Sequence, residues 1–252
     1  MSDDRSSIET SRRQLLKTLA GTSAAIPLRS ALTAVPPAAA IAVTIGSTAA
    51  SGQEASAPPA GYQYFGIEEA AFVEAMVDTM CPADDLTPAG TACGLATYID
   101  RQLAGGFGNG ERLYTDGPWQ AGKPQQGYQL PFDPKSFFSA GVVAAEAACQ
   151  HANGKRFEAL AVADRDAFLQ ALAEGKVTDE RVPLGQWFNE LIVPLFEQAC
   201  FADPIYGGNR GKVFWKMVGY PGLPAFHTLD VTQYRGKPFP AAKQPKSIQD
   251  FS

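Results

Sequence analysis

Cysteine and histidine are scarce in this 252-residue chain, which contains four cysteines and two histidines. No two cysteines are spaced as a C-x-x-C pair, so neither a haem-attachment motif nor a zinc ribbon is supported. His151 and His227 alone offer little basis for a metal site. The adjacent acids Asp84 and Asp85 are expected to be solvated, because two carboxylates without further ligands rarely hold an ion.

The common signatures of enzymes are also lacking. The chain has no G-x-S-x-G elbow, no P-loop and no Rossmann fingerprint. The glycine-rich run at 105–110 fails as a nucleotide loop, because Glu111 stands where the pattern needs glycine and no strand precedes the run. Two histidines leave few groups for acid–base catalysis near neutral pH. These absences lower the expectation of an enzyme without eliminating it.

Positive charge is in short supply. The 21 Lys and Arg residues are outnumbered by 26 Asp and Glu residues, which gives a net charge of −5. No basic stripe is visible, whereas binding to phosphates requires clustered Lys and Arg. The composition therefore argues against a nucleic-acid partner.

Strand patterns are nearly absent, so the predicted fold class is all-α. We expect a single helical domain of about five or six helices, with a long irregular arm at 105–133 and an extended C-terminal tail. The predicted organisation is a signal and flexible linker at 1–60, followed by the helical domain at 61–252. Within that domain, residues 201–252 form the predicted docking loop and tail. The candidate contacts of the tail are Phe226, Tyr234 and Phe239.

Five segments have the apolar spacing of amphipathic helices. They span residues 67–80, about 91–103, about 134–152, 162–172 and 184–202. Asp133 and Asp164 are candidate N-caps, and Pro194 is expected to kink the last helix. On the second helix, Asp100 and Arg101 are predicted to face outwards.

The N-terminus has the pattern of a twin-arginine export signal. Arg12 and Arg13 precede the moderately apolar segment 15–28, as this signal type requires. A retained membrane anchor is less favoured, because Pro36 and Pro37 interrupt a stretch with few strongly apolar residues. Small residues at 38–40 and 55–57 offer two alternative cleavage sites. The predicted location is therefore the periplasm.

In an exported protein the four cysteines could form one or two disulfides. Four cysteines allow three complete pairings, and one cysteine could instead bond to a partner subunit. Buried thiols are an equally open alternative. The residues concerned are Cys81, Cys93, Cys149 and Cys200.

The stretch 201–222 is too rich in glycine for a core and too aromatic for a plain linker. Asp203 before Pro204 favours a turn, and residues 207–209 permit positive φ. Large aromatic side chains follow. A rigid loop that carries such side chains is a good docking element, and the alternative is a loop packed over the helical core. The aromatic residues are Phe214, Trp215 and Tyr220.

The same stretch resembles the gluconate 2-dehydrogenase subunit 3 family. The resemblance rests on Asp-Pro-Ile-Tyr-Gly-Gly-Asn at 203–209, Trp-Lys at 215–216 and Gly-Tyr-Pro-Gly at 219–222. The Cys-Pro-Ala turn at 81–83 and Tyr-Ile-Asp at 98–100 are similar to the family's opening segment. The resemblance covers roughly residues 67–222.

The resemblance implies a non-catalytic small subunit of a periplasmic, membrane-associated sugar-acid dehydrogenase. In such a complex, FAD belongs to a large subunit of the glucose-methanol-choline type and haem c to a membrane cytochrome c subunit. The small subunit has no cofactor of its own, carries the export signal and stabilises the large subunit. The residues expected to shape the docking loop and contact the partner are Asp203, Tyr206, Asn209, Trp215 and Tyr220.

Two other functions remain open. One is a stand-alone periplasmic oxidoreductase with its site at the 203–209 loop. The other is a helical binding module for an unrelated exported protein. The long arm and tail depart from the simplest family pattern, so the sugar that the complex would oxidise is also open.

Overall fold

The computed structural model describes residues 61–251, except Thr115, Ala121, Pro124, Gln125 and Ala225. Within these residues the all-α prediction is confirmed, because helices account for the regular structure and the only strand-like pairing is one isolated bridge. The predicted export signal with Arg12 and Arg13, and the predicted linker, lie outside the described residues.

The helices occur in the order in which the apolar spacing predicts them, with two short ones added near the C-terminus. They are α1 Ile67–Met80, α2 Leu95–Ala104, α3 Pro134–Asn153, α4 Val162–Ala173, α5 Leu184–Trp187, α6 Val193–Phe201, α7 Val213–Val218 and α8 Thr228–Gln233. Short 3₁₀ turns lie at Phe157–Ala159, Pro204–Tyr206, Arg210–Lys212, Pro240–Lys243 and Ile248–Phe251.

The core lies between the first six helices, and Trp187 is the largest of its fully buried side chains. The Trp187 side chain is fully buried and its ring lies 6.4 Å from that of Phe72 on α1. Gly141 on α3 makes room for it, since a Cβ atom at this position would come within 2.1 Å of the indole nitrogen. This close approach allows α3 to pack directly against α5.

The predicted helix over 184–202 is divided in the structure. A π-helical turn at Phe188–Ile192 separates α5 from α6 and ends two residues before Pro194. Proline has no amide hydrogen to donate to the preceding turn, and a widened turn accommodates that loss. The irregularity expected at Pro194 therefore takes the form of this π-helical turn.

Asp133 caps α3 as predicted, because its carboxylate accepts a hydrogen bond from the Ser136 amide at 2.7 Å. Asp164 does not cap α4. The N-cap position there is Ala161, without a side-chain bond, and Asp164 lies in the first turn. The second helix begins later than predicted, at Leu95, because the residues before it form tight turns.

The prediction that Asp100 faces outwards is wrong. The residue is 1% exposed, and its carboxylate accepts three backbone hydrogen bonds. The donors are the amides of Gln63 at 2.8 Å, Tyr64 at 2.8 Å and Phe65 at 2.9 Å. A buried carboxylate is stable only when such bonds replace its lost hydration, so this residue anchors the segment that leads into α1.

The arm at 105–133 lies partly on its own domain. The amide of Lys135 donates to Gly108 O at 3.1 Å, which holds the start of the arm beside α3. At the other end, the rings of Tyr128 and Phe132 pack against Phe137 at 4.7 and 5.7 Å. Tyr114 between them is 81% exposed. The arm therefore combines a packed end with accessible aromatic surface.

The tail has more structure than predicted, because it contains α8 and two 3₁₀ turns and returns to the domain. The return is made at the isolated parallel bridge between Gly222 and Lys246. Leu223 N donates to Lys246 O at 2.8 Å, and Lys246 N donates to Pro221 O at 3.0 Å. The predicted tail contacts are partly present, since the ring of Tyr234 lies 5.1 Å from that of Phe239.

Candidate docking surface

Asn209 holds together the loop at 201–222, which we call the motif loop. The residue is fully buried and has a φ of 43°, in the left-handed region. Its side-chain amide donates to Ala202 O at 3.2 Å, and its side-chain oxygen accepts from Phe214 N at 3.1 Å. One side chain therefore joins the beginning of the loop to α7 and replaces backbone bonds that an irregular loop lacks.

Trp215 supports the loop from inside. It is 5% exposed, and its indole nitrogen donates to Phe201 O at 2.8 Å. The ring of Tyr220 meets it edge to face at a centroid distance of 5.1 Å. Tyr220 itself remains exposed, so its position on the surface depends on the buried tryptophan.

The motif loop is seated on the beginning of α2. Arg210 N donates to Cys93 O at 3.0 Å, and the Arg210 guanidinium donates to the Thr97 hydroxyl at 3.0 Å. The backbones also approach closely, because a Cβ atom at Gly94 would lie 2.2 Å from Gly207 O. Glycine is required at this contact, and it lets the loop lie directly on the helix.

Asp203 links the motif loop to the C-terminal tail. One carboxylate oxygen accepts from Ile205 N at 3.0 Å, which caps the Pro204–Tyr206 turn. The other oxygen accepts from Ile248 N at 2.9 Å. The same side chain therefore shapes its own turn and places the Ile248–Phe251 turn beside it.

A second bond fastens the tail at Asp250. Its carboxylate pairs with the Lys212 ammonium and accepts from Ser247 N at 2.5 Å. The hydrogen bond from Lys212, followed by that from the Ser247 amide, lowers the pKa of Asp250 to about 2. The carboxylate is therefore ionised at neutral pH, and this attachment weakens only when the pH falls from about 4 towards 2.

These contacts leave an apolar edge on the surface, which we call the motif–tail rim. Its members come from the two adjacent turns, and each of them exposes more than a third of its surface. They are Ile205, Tyr206, Ile248 and Phe251. A rigid apolar edge of this kind is typical of an interaction site.

The five residues predicted for docking have two different placements. Tyr206 and Tyr220 are exposed and can contact a partner directly. Asn209 and Trp215 are buried, so any effect they have on docking acts through the shape of the loop. Asp203 is partly buried, and its hydrogen bond to the Ile205 amide likewise helps to fix the shape of the loop.

Sequence reasoning missed Ile248 and Phe251. The tail contacts predicted from the sequence are Phe226, Tyr234 and Phe239. The usable signal was the pair of apolar residues in an otherwise polar C-terminal segment. The contacts that reveal that this segment meets the motif loop are the bond from Ile248 to Asp203 and the pairing of Lys212 with Asp250.

The structure records all four cysteines as buried thiols. Burial raises the pKa values of Cys149 and Cys200.

Across the described ranges of the chain, no cluster of three or more His, Cys, Asp or Glu side chains is arranged to hold a metal ion. No helix in the described part has the length and apolar character needed to cross a membrane.

Comparison with known proteins gives one family match. The model of a family described as gluconate 2-dehydrogenase subunit 3 matches residues 67–222, which include α1 to α7 and the whole motif loop. No curated protein and no solved structure matches the chain.

Proposed function

The chain belongs to the gluconate 2-dehydrogenase subunit 3 family, and from this membership we propose that it is the non-catalytic small subunit of a periplasmic, FAD-dependent dehydrogenase complex. The family description makes the chain one subunit of a multi-subunit gluconate dehydrogenase, so partner subunits are implied. In this proposal the small subunit exports and stabilises the large subunit, and the large subunit oxidises the sugar acid.

The observation that carries the proposal is the motif–tail rim. Apolar side chains on a surface are useful for binding when the backbone beneath them is fixed before the partner arrives, because less conformational entropy is then lost. Here Asn209, Trp215 and Asp203 fix that backbone from below. Tyr206 is 51% exposed above it and offers a large amphipathic ring of the kind that dominates binding energy.

The proposed division of labour follows the family resemblance. Its matched region supplies a helical scaffold and a shaped loop, which are the requirements of a stabilising subunit. FAD is assigned to the large subunit of the glucose-methanol-choline type, and haem c to a membrane cytochrome c subunit that receives the electrons. The complex is membrane-associated through that cytochrome subunit.

Export is assigned to Arg12 and Arg13. The twin-arginine route transports folded proteins, and a flavoprotein must fold around its cofactor before it leaves the cytoplasm. A large subunit bound to this chain would therefore travel on the small subunit's signal. Docking at the rim must then precede export.

The test is a pull-down of the tagged full chain from its native host, with mass spectrometry and an absorption spectrum of the eluate. We expect a co-purified flavoprotein with flavin absorption bands. Tyr206→Ala should reduce its recovery, whereas Tyr114→Ala, in the exposed arm, serves as the matched control. Recovery of a partner without flavin would favour a binding module of another kind and contradict the proposal.

A further inference from the structure

Two of the buried thiols lie beside one backbone carbonyl group. The Cys81 thiol donates to Pro88 O at 3.8 Å, and the Cys93 thiol donates to the same oxygen at 3.4 Å. Both sulfur atoms are thus within hydrogen-bond range of a single atom. The neighbouring Cys81 thiol, together with burial, raises the pKa of Cys93.

The pair lies at a junction between helices. Cys81 is the C-cap residue of α1, and Cys93 stands two residues before α2. The segment between them, residues 82–92, supplies the shared carbonyl group of Pro88 and is exposed at 82–86. The cysteines themselves are 4% and 1% exposed, so an oxidant reaches them during folding or when this segment opens.

We propose that Cys81 and Cys93 form a disulfide bond that closes the 82–92 segment into a covalent loop. Each thiol loses one proton, and the pair loses two electrons as the sulfur–sulfur bond forms. The electrons pass by thiol–disulfide exchange to an oxidant that is itself a disulfide and that leaves as two thiols. Because Arg210 N donates to Cys93 O, the cross-link also fixes the backbone on which the motif loop is seated.

The other cysteines are placed differently. The Cys149 thiol is on α3, where it donates to Lys155 O at 3.5 Å. Cys200 is on α6, and the hydrogen bonds to Pro88 O that bring Cys81 and Cys93 together do not include it. The proposed product is therefore a single disulfide, with Cys149 and Cys200 remaining thiols. This assignment does not depend on which partner the motif loop binds.

The bond can be mapped directly in the full chain after equilibration with oxidised and reduced glutathione. Free thiols are alkylated under denaturing conditions, and the chain is cut before aspartate. Cleavage before Asp84 or Asp85 separates Cys81 from Cys93 into different peptides. We expect these two peptides to be linked, with Cys149 and Cys200 alkylated. Alkylation of all four cysteines, or a link between another pair, would overturn the proposal.

A stability measurement gives an independent readout. Closing a loop of this size should raise the melting temperature of the oxidised chain above that of the reduced chain by about 5–10 °C. Cys93→Ala should abolish this difference, whereas Cys149→Ala should preserve it. A redox-dependent shift that survives in Cys93→Ala would contradict the proposed bond.

Discussion

The carboxylate of Asp203 accepts a hydrogen bond from the backbone amide of Ile248 at 2.9 Å, although the two residues are 45 positions apart. Asp203 belongs to the family-matched region, and Ile248 lies beyond its end at residue 222. This bond therefore joins the motif loop to a segment that the family model does not include. The motif–tail rim therefore consists of residues from the motif loop and from the C-terminal tail, and its shape depends on both segments.

The first prediction concerns this bond. Asp203→Ala should release the amides of Ile205 and Ile248, because both donate to the lost carboxylate. Each lost hydrogen bond costs about 1 kcal/mol, so hydrogen exchange at both amides should accelerate about fivefold or more. Mass spectrometry or NMR of exchange measures this, and partner binding should weaken in the same variant.

Asp179 provides the matched control, since its carboxylate accepts from Arg181 N and Val182 N in a turn elsewhere in the chain. Asp179→Ala should accelerate exchange at those two amides and leave partner binding unchanged. If Asp203→Ala leaves the Ile248 amide as protected as before, the tail is not held to the motif loop in the way described.

The second prediction separates contact from support within the motif loop. Tyr206→Ala should weaken binding of the large subunit by about 2 kcal/mol, or roughly 30-fold in Kd, because an exposed aromatic anchor would be lost. Its effect on the free energy of unfolding should be within about 0.5 kcal/mol, since the side chain is exposed.

Binding can be measured by calorimetry and stability by urea denaturation, with Tyr114→Ala as the control for an exposed tyrosine outside the rim. An unchanged Kd for Tyr206→Ala would remove the rim from the interface. A large loss of stability would instead place this side chain among the structural residues, together with Trp215.

The third prediction concerns Asp100. Asp100→Asn keeps the size of the side chain but replaces one acceptor oxygen with a donor, which then faces a backbone amide. We expect a loss of about 2–4 kcal/mol in the free energy of unfolding, because buried donors are left unsatisfied. Asp164→Asn, on an exposed position of α4, should change it by less than about 0.5 kcal/mol. Equal unfolding midpoints in urea for the two variants would contradict the anchoring described for Asp100.

Local patterns predicted much of the helical scaffold. The bounds of α1 follow from its four-residue apolar steps and the Cys-Pro sequence after Met80. The cap at Asp133 follows equally from local chemistry. These features depend on neighbouring residues, which a sequence displays directly.

Long-range placement was not predictable in the same way. From the sequence alone, Asp100 is expected to be an exposed acidic residue. Its burial is favourable because the backbone amides of residues 63–65 donate hydrogen bonds to its carboxylate. The last turn of the tail is held by Asp203, which lies 45 residues before Ile248, and by Lys212, which pairs with Asp250. In both cases the decisive partner is distant in the chain, and neither partner carries a pattern that marks it.

The fourth prediction concerns export. Replacing both Arg12 and Arg13 with lysine keeps the positive charge but removes the arginine pair that the twin-arginine route recognises. Both this chain and the large subunit should then accumulate in the cytoplasm, as measured by fractionation and immunoblotting. Arg5→Lys, which changes a nearby arginine outside the pair, should leave export unaffected. Active large subunit in the periplasm of the double variant would show that it does not depend on this signal.

The central claim is that oxidation takes place on a neighbouring subunit, and turnover by separated and recombined subunits tests it most directly. Gluconate oxidation with an artificial electron acceptor is measured for this chain alone, the large subunit alone and the two together. We predict a colourless, inactive small subunit, and a flavin-containing large subunit whose activity survives heating longer when this chain is bound. Gluconate oxidation by this chain alone, at the rate of the complex, would contradict the account.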